Sequence, residues 1–322
     1  MKNIKTKPLN IAVILPAFNE EITIKKSILD FYTTLPRASI YVINNNSSDQ
    51  TEFIANKTLT KNKIHGGVLN EPKQGKGNAL KKAFCEIDAD IYLIADADCT
   101  YPAFHAFELI EPLIKGQADM VVGDRHSLGQ YKKQNKRMFH NFGNKLVLFI
   151  INLLFRSNLH DVMSGFRALS RDFVQNYPVI VEGFEIETDL ALFALDKGFR
   201  IQEIPIVYKE RPLGSFSKLS TFGDGAKVVF TIFQMLRIYK PFFFFAILSG
   251  FFFLSGLLFG LPVINEYMIS KFIYHVPLAI LSAALMILSF IAIGLGVMLD
   301  AVAHQNKINF QFRMLDKALK NR

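Results

Sequence analysis

The chain has 322 residues, and 37 Lys and Arg against 28 Asp and Glu leave a net charge of +9. That excess suits nucleic acid, an anionic membrane surface or a phosphorylated substrate, and nucleic acid drops out for want of an arginine-rich run, a zinc pattern or an aromatic–basic RNA signature. Two cysteines, Cys85 and Cys99, exclude a disulfide framework or a cysteine metal cluster.

Met1 to Asn10 is polar and lysine-bearing, without the apolar core of a signal peptide, so the globular part is expected in the cytosol. Ile11 to Leu15 is a continuous apolar run closed by Pro16, the signature of a strand buried on both faces. Helical spacing of Ile24, Ile28 and Phe31 follows. Ile40 to Ile43 is a second strand. The loop Asn44 to Asp49 then combines residues that tolerate left-handed backbone and cap helices. Turn chemistry explains much of that loop; its amides and Asp49 can also read a nucleobase and ribose.

Gln74 to Ala79 places two glycines before a helix, letting backbone amides approach an anion. The spacing is not that of a P-loop. Ile91 to Ala95 is a third apolar run, and it ends in Asp96-Ala97-Asp98. Acids two apart in an extended segment point the same way and can share a hard divalent cation that carries phosphates. A solvated acidic turn is the plainer reading of such a pair in isolation. Pro102 stops the extended segment, and an amphipathic helix through Phe107, Ile110 and Leu113 follows.

Met120 to Gly123 is a further strand ending in Asp124-Arg125. The repeated β–α alternation implies a parallel sheet with helices on both faces and polar residues at its carboxyl edge. Gly129 to Arg137 is basic and leads into an apolar helix, Leu146 to Phe155, which suits lipid headgroups. Asp161 to Arg167 is a compact polar turn, either an Asp–Arg staple or the wall of a substrate site. Gly183 to Asp189 opens a helix with acidic residues in its first turn. Arg200 to Tyr208 alternates as a strand, and Arg211 to Leu219 is a loop whose cations can grip a diphosphate.

Pro241 to Leu261 carries no charge and holds fourteen Phe, Ile or Leu, worth roughly −4 to −8 kcal/mol toward insertion. Val276 to Leu299 is a second uncharged run, and about 20 apolar residues suffice to cross a bilayer core. Lys227, Arg237 and Lys240 before the first, and Lys307, Arg313, Lys317, Lys320 and Arg322 after the second, put both ends on the cytoplasmic side. The expected divisions are a catalytic domain over 1–221, an interfacial amphipathic helix over 222–240, a hairpin over 241–299 with its loop at 262–275, and a basic tail over 300–322. Small membrane hairpins often need partners, so a homo-oligomer is expected.

Taken in order, Leu15 to Glu20, Asn44 to Thr51, Gly75-Lys76-Gly77, Asp96-Ala97-Asp98, Gly123-Asp124-Arg125, Ser164 to Arg167 and Arg211 to Leu219 resemble the family 2 glycosyltransferases. The likeness is greatest to dolichyl- or polyprenyl-phosphate sugar synthases with a C-terminal transmembrane hairpin. The resemblance implies a GT-A fold, the α/β fold of nucleotide-diphospho-sugar transferases, with a mostly parallel sheet. It also implies a nucleotide-sugar donor, Mg²⁺ or Mn²⁺ on Asp96 and Asp98, and inverting transfer to a polyprenyl-phosphate lipid at the cytoplasmic membrane.

On these positions the donor site would comprise Pro16, Ala17, Glu20, Asn45, Asp49, Lys76, Asp96, Arg211, Ser217 and Lys218. The acceptor phosphate would meet Arg125, Arg137, Ser164 and Arg167, with Asp98, Arg125 and Asp161 as the catalytic set. Asn44 and Asn45 stand where relatives commonly carry Asp, and Thr100 where some carry Gln. A phosphate acceptor is already ionised and needs no strong base; stabilising the departing diphosphate is the larger task. Asp161 or Glu187 would serve as base for a sugar-hydroxyl acceptor on a lipid-linked glycan, one alternative. A non-catalytic nucleotide-sugar-binding membrane scaffold is the other.

Overall fold

The computed structural model describes residues 9–128, 138–183, 185–212 and 233–320. The chain divides into two compact units, Met1–Gly225 and Ala226–Arg322. The first is built on a seven-stranded sheet of order β3-β2-β1-β4-β6-β5-β7. Its strands are β1 (Ile11–Ala17), β2 (Ser39–Asn44), β3 (Gly66–Asn70), β4 (Ile91–Ile94), β5 (Met120–Asp124), β6 (Arg167–Ser170) and β7 (Ile201–Pro205). The helices between them are α1 (Ile24–Thr34), α2 (Thr51–Lys61), α3 (Lys76–Glu86), α4 (Ala106–Ile114), α5 (Met138–Phe155), α6 (Arg171–Asn176) and α7 (Ile186–Lys197).

The apolar runs of β1, β2, β4 and β5 form the centre of the sheet, and Val13, Leu15, Ile40, Val42, Leu93 and Val121 are buried in one continuous core with Ile24, Ile28 and Phe31 of α1. Pro16 does not close β1; the strand continues to Ala17. Pairing with β4 ends at Ile14, so the missing N–H of Pro16 falls where β1 has a neighbour only on the β2 side.

The sheet is mixed rather than all parallel. β6, whose first residue Arg167 ended the polar turn read from sequence, runs antiparallel to both β4 and β5. That reversal brings the residues preceding β6 to the same edge as the carboxyl ends of β1, β4, β5 and β7, the edge where open α/β sheets hold ligands. Three of the loops leaving this edge turn through left-handed, non-glycine residues: Asn19 (φ 52°), Asn46 (φ 57°) and Cys99 (φ 62°). Such backbone is uncommon and concentrates at functional loops. Asp96 and Asp98 therefore lie in a turn after β4, not in an extended segment.

In the second unit, residues 233–239 are helical, and α8 (Pro241–Ser270) and α9 (Val276–Lys320) form an antiparallel pair. Both are long and apolar enough to cross a membrane. α8 passes through Pro262, where a break was expected, so the connection shrinks to residues 271–275. The basic segment 300–320 is not a separate tail, because α9 continues through it without interruption. Most of the expected interfacial helix lies outside the described residues.

The pair is held by small and hydroxylated residues. Ser249 Oγ donates to the Ser289 carbonyl at 2.9 Å, Ser289 Oγ donates to the Ser249 carbonyl at 3.0 Å, and Ser282 Oγ donates to the Gly256 carbonyl at 2.8 Å. Small residues let apolar helices approach closely where no hydrophobic force drives them together.

Candidate active site

Four charged side chains meet at the tip of β4. Asp98 is sealed from water, its side chain 3% exposed, whereas that of Asp96 is 31% exposed. Thr100 donates to Asp98 Oδ1 through its hydroxyl at 2.6 Å and its backbone N–H at 3.0 Å. Asp98 Oδ2 lies 2.7 Å from Arg211 Nη2, and the same guanidinium is 4.0 Å from Glu20 Oε1. Arg211 reaches this place because the segment after β7 is tied back, Lys209 N–H donating to the Thr100 carbonyl at 3.0 Å. Burial, reinforced by the Asp96 charge, pushes Asp98 above the usual carboxylate range despite the opposing pull of Arg211.

Lys76 Nζ bridges Asp96 Oδ1 and Glu187 Oε1, the latter at 2.5 Å. Burial alone would lower the Lys76 ammonium; the charges of Asp96 and Glu187 overcome it and hold Lys76 well above the usual lysine range. Glycine geometry makes the bridge possible. A Cβ on Gly77 would stand 1.9 Å from the Val181 carbonyl oxygen, and one on Gly75 (φ 131°) would stand 2.1 Å from that of Glu182. The backbone N–H groups of Gly75, Gly77 and Asn78 donate to Asn45 Oδ1 and the Glu182 carbonyl, so they do not form the anion cradle that their sequence suggested. They dock the loop that carries Lys76 onto the segment that carries Glu187.

Asn45, proposed from sequence to read the base, donates Nδ2 to the Lys73 carbonyl at 2.6 Å and accepts from Gly75 N–H at 2.7 Å. It staples residues 71–75. Asp49 accepts from the Thr51 N–H and hydroxyl and from the Glu21 N–H, joining the loop after β1 to the start of α2. Glu20 is buried, its N–H donating to Thr51 Oγ1 at 2.8 Å. Pro16 and Ala17 form the end of β1 beside Asn44.

Arg125 and Asp161 form a second, buried pair, with Nε to Oδ2 at 2.7 Å and Nη2 to Oδ1 at 2.9 Å. The guanidinium carbon stands 5.7 Å from the centre of the Tyr208 ring. Burial would raise Asp161, but Arg125 outweighs it and holds the carboxyl below its ordinary range. An anion so stabilised is a poor proton acceptor, which corrects its sequence assignment as a base.

Two other assignments change. Arg167 is 1% exposed, donating Nε and Nη2 to the carbonyls of Ser164 and Val162, and Ser164 is fully buried. Both brace the turn entering β6 and have no face for an acceptor phosphate. Arg137, Ser217 and Lys218 lie outside the described residues. Glu187 had no place in the donor site read from sequence, because its partner Lys76 is 111 residues away and no local pattern links them.

Among the described residues no group of three or more His, Cys, Asp or Glu side chains could enclose a metal. Asp96 and Asp98 nevertheless fit a hard cation that takes one or two carboxylates and completes its shell with phosphate oxygens and water.

A mixed sheet with acids at the tip of its fourth strand, closed on both faces by helices, is the architecture of a GT-A nucleotide-sugar transferase. Residues 12–177 match Glycosyl transferase family 2, and the chain belongs to that family. It is 27% identical to Glycosyltransferase AglJ of Haloferax volcanii over 92% of this chain and 94% of that one. It is 26% identical to the dolichyl-phosphate hexose transferase of the same organism, over 68% of this chain and 90% of the relative. Among solved structures, glucosyl-3-phosphoglycerate synthase from Mycobacterium tuberculosis, in complex with Mn²⁺, UDP and glucosyl-3-phosphoglycerate, superposes with a TM-score of 0.56 at 22% identity. That likeness covers 71% of this chain and 80% of the other, and shows the fold.

Proposed function

We propose that the protein transfers a sugar, with inversion, from a nucleotide-diphosphate sugar to a polyprenyl phosphate at the cytoplasmic face of the membrane. The bond between the anomeric carbon and the nucleotide's β-phosphate breaks, a bond to the lipid phosphate oxygen forms, and a nucleoside diphosphate leaves. The observation that carries this reading is the gathering of Asp96, Asp98, Lys76 and Arg211 at one sheet tip in a family 2 chain that also has two helices long enough to cross a membrane.

A divalent cation, Mg²⁺ or Mn²⁺, held by Asp96 and Asp98 would neutralise charge developing on the departing diphosphate; the Mn²⁺ and UDP in the glucosyl-3-phosphoglycerate synthase complex are in keeping with this. Thr100 aims the Asp98 carboxylate. Arg211 exchanges its contact with Asp98 Oδ2 for the diphosphate. Pro16, Ala17, Glu20 and Asp49 shape the nucleoside pocket, and Asn45 fixes its floor through the 71–75 backbone. Arg125, fixed by Asp161 and Tyr208, presents positive charge to the acceptor phosphate, joined there by Arg137, while Ser217 and Lys218 join Arg211 on the donor diphosphate.

A hydroxyl acceptor would demand a base, yet the two acids considered for that part, Asp161 and Glu187, are each ion-paired. An acceptor that arrives ionised fits better. Detergent-solubilised protein given labelled nucleotide sugar, polyprenyl phosphate and Mn²⁺ should form organic-extractable label. Asp98→Asn should lower that rate at least 100-fold, the scale of removing a major electrostatic stabiliser, while leaving the unfolding temperature within a few degrees. Undiminished transfer by the variant would remove Asp98 from the mechanism.

A further inference from the structure

Lys76 is enclosed by two carboxylates of unequal character. Asp96 is partly open to water, whereas the Glu187 side chain is 9% exposed. Glu187 Oε1 takes the ammonium, and Oε2 is buried with no hydrogen-bond donor among the described residues. A buried carboxylate oxygen left unmatched is unfavourable and calls for an explanation. Arg167 lies near enough to act on Glu187 electrostatically, but its Nε and Nη2 hydrogens go to the Ser164 and Val162 carbonyls.

The arrangement is tightly enforced. Gly75 and Gly77 press the Lys76 loop against the carbonyls of Val181 and Glu182, and a Cβ on Gly165 would stand 2.8 Å from Lys76 Nζ and 2.9 Å from Asp96 Oδ2. Three separate chain segments thus close around one ammonium. We propose that Glu187 is a positioning residue for the transfer: by sharing the Lys76 ammonium with Asp96 it keeps Asp96 able to ligate the divalent cation. The assignment rests on the family 2 transferase reading above. With Asp96 as its sole anionic partner, Lys76 would place its whole charge on that carboxylate. An incoming cation would then compete with an ammonium held by Asp96 alone, rather than with one shared between two carboxylates. Glu187 withdraws part of that hold without leaving the ammonium uncompensated.

The test uses the full-length protein in detergent and follows Mn²⁺ uptake, with UDP or GDP, by loss of the free-ion electron paramagnetic resonance signal. Glu187→Gln, which keeps shape and an acceptor oxygen but removes the charge, should weaken Mn²⁺ binding about tenfold, the order expected when the Lys76 ammonium is left wholly to the Asp96 carboxylate under partial screening. In a Lys76→Met background the same substitution should change binding less than twofold, since no ammonium remains to be shared. Equal Mn²⁺ affinity in folded wild type and Glu187→Gln would overturn the assignment, as would equal losses in both backgrounds. Should Glu187→Gln not fold, Lys76→Met alone decides: Mn²⁺ binding at least as tight as wild type is expected, and weaker binding overturns the proposal. A wild type that takes up no Mn²⁺ with either diphosphate overturns it together with the metal reading beneath it. Wild-type uptake with an unmoved variant overturns the Glu187 assignment alone.

Discussion

Arg125 and Asp161 show how much a single pair contributes at this edge. Both side chains are nearly sealed from water and joined by two short N–H···O bonds. Removing one partner of a buried pair leaves the other charge uncompensated, a loss of about 3–5 kcal/mol. Asp161→Asn should therefore lower stability by that order at pH 7. The pH dependence has a defined sign. Asp161 is held below its unfolded value, so its contribution is complete above about pH 4 and is lost as pH falls through the folded value. The variant should lose less stability than wild type between about pH 4 and pH 2. Part of the acid slope should survive, because Asp119 is also held low, its own burial outweighed by Arg200. Denaturant unfolding of both proteins across that range reads the difference, and parallel acid limbs would show that the pair is not the source.

Among elements, α3 and the segment before α7 depend on close backbone approach. An alanine at 77 would put a Cβ inside the Val181 carbonyl, so the chain must shift. Gly77→Ala should cost at least the 1–3 kcal/mol typical of overpacking and, by separating Lys76 from Glu187, should weaken diphosphate binding more than the unfolding temperature alone predicts. Calorimetric titration with UDP and Mn²⁺ against a thermal melt distinguishes the two losses. These contacts mark the limit of what sequence discloses. Strands such as Ile11–Ala17 and Ile91–Ile94 are legible because buried parallel strands are apolar throughout. β3, with the sequence Gly-Gly-Val-Leu-Asn at the sheet margin, offers neither a run nor an alternation. β6 opens with Arg167, whose burial depends on carbonyls that only the folded turn supplies. The Asp96/Asp98 pair is legible by spacing alone. The Lys76–Glu187 and Arg125–Asp161 contacts, 111 and 36 residues apart, exist only through topology.

For the whole molecule, the proposed function turns on the relation between the first unit and an acceptor that would stay in the bilayer. At about 1.5 Å per residue a helix needs about 20 residues to cross a hydrocarbon core of about 30 Å. The 45 residues of α9 exceed that more than twofold, so if its apolar part crosses a membrane, the charged part beyond Asp300 extends past it. Under the proposed transfer to a polyprenyl phosphate, the hairpin would act as a tether, converting encounter with the lipid from a search through solution to one within a surface layer, which can raise apparent affinity by 10²–10⁴ with no new contact. Ending the chain after Lys240 should then leave Mn²⁺–diphosphate binding within about twofold, because Asp96, Asp98, Lys76 and Arg211 all belong to the first unit. Transfer to polyprenyl phosphate embedded in vesicles should fall by about 100-fold, as a rise in acceptor KM, whereas transfer to a short, water-dispersed prenyl phosphate should fall by less than about threefold. Equal losses with both acceptors would mean that the hairpin shapes the active site itself. Unimpaired transfer to the vesicle-bound lipid would mean that the first unit finds the membrane unaided.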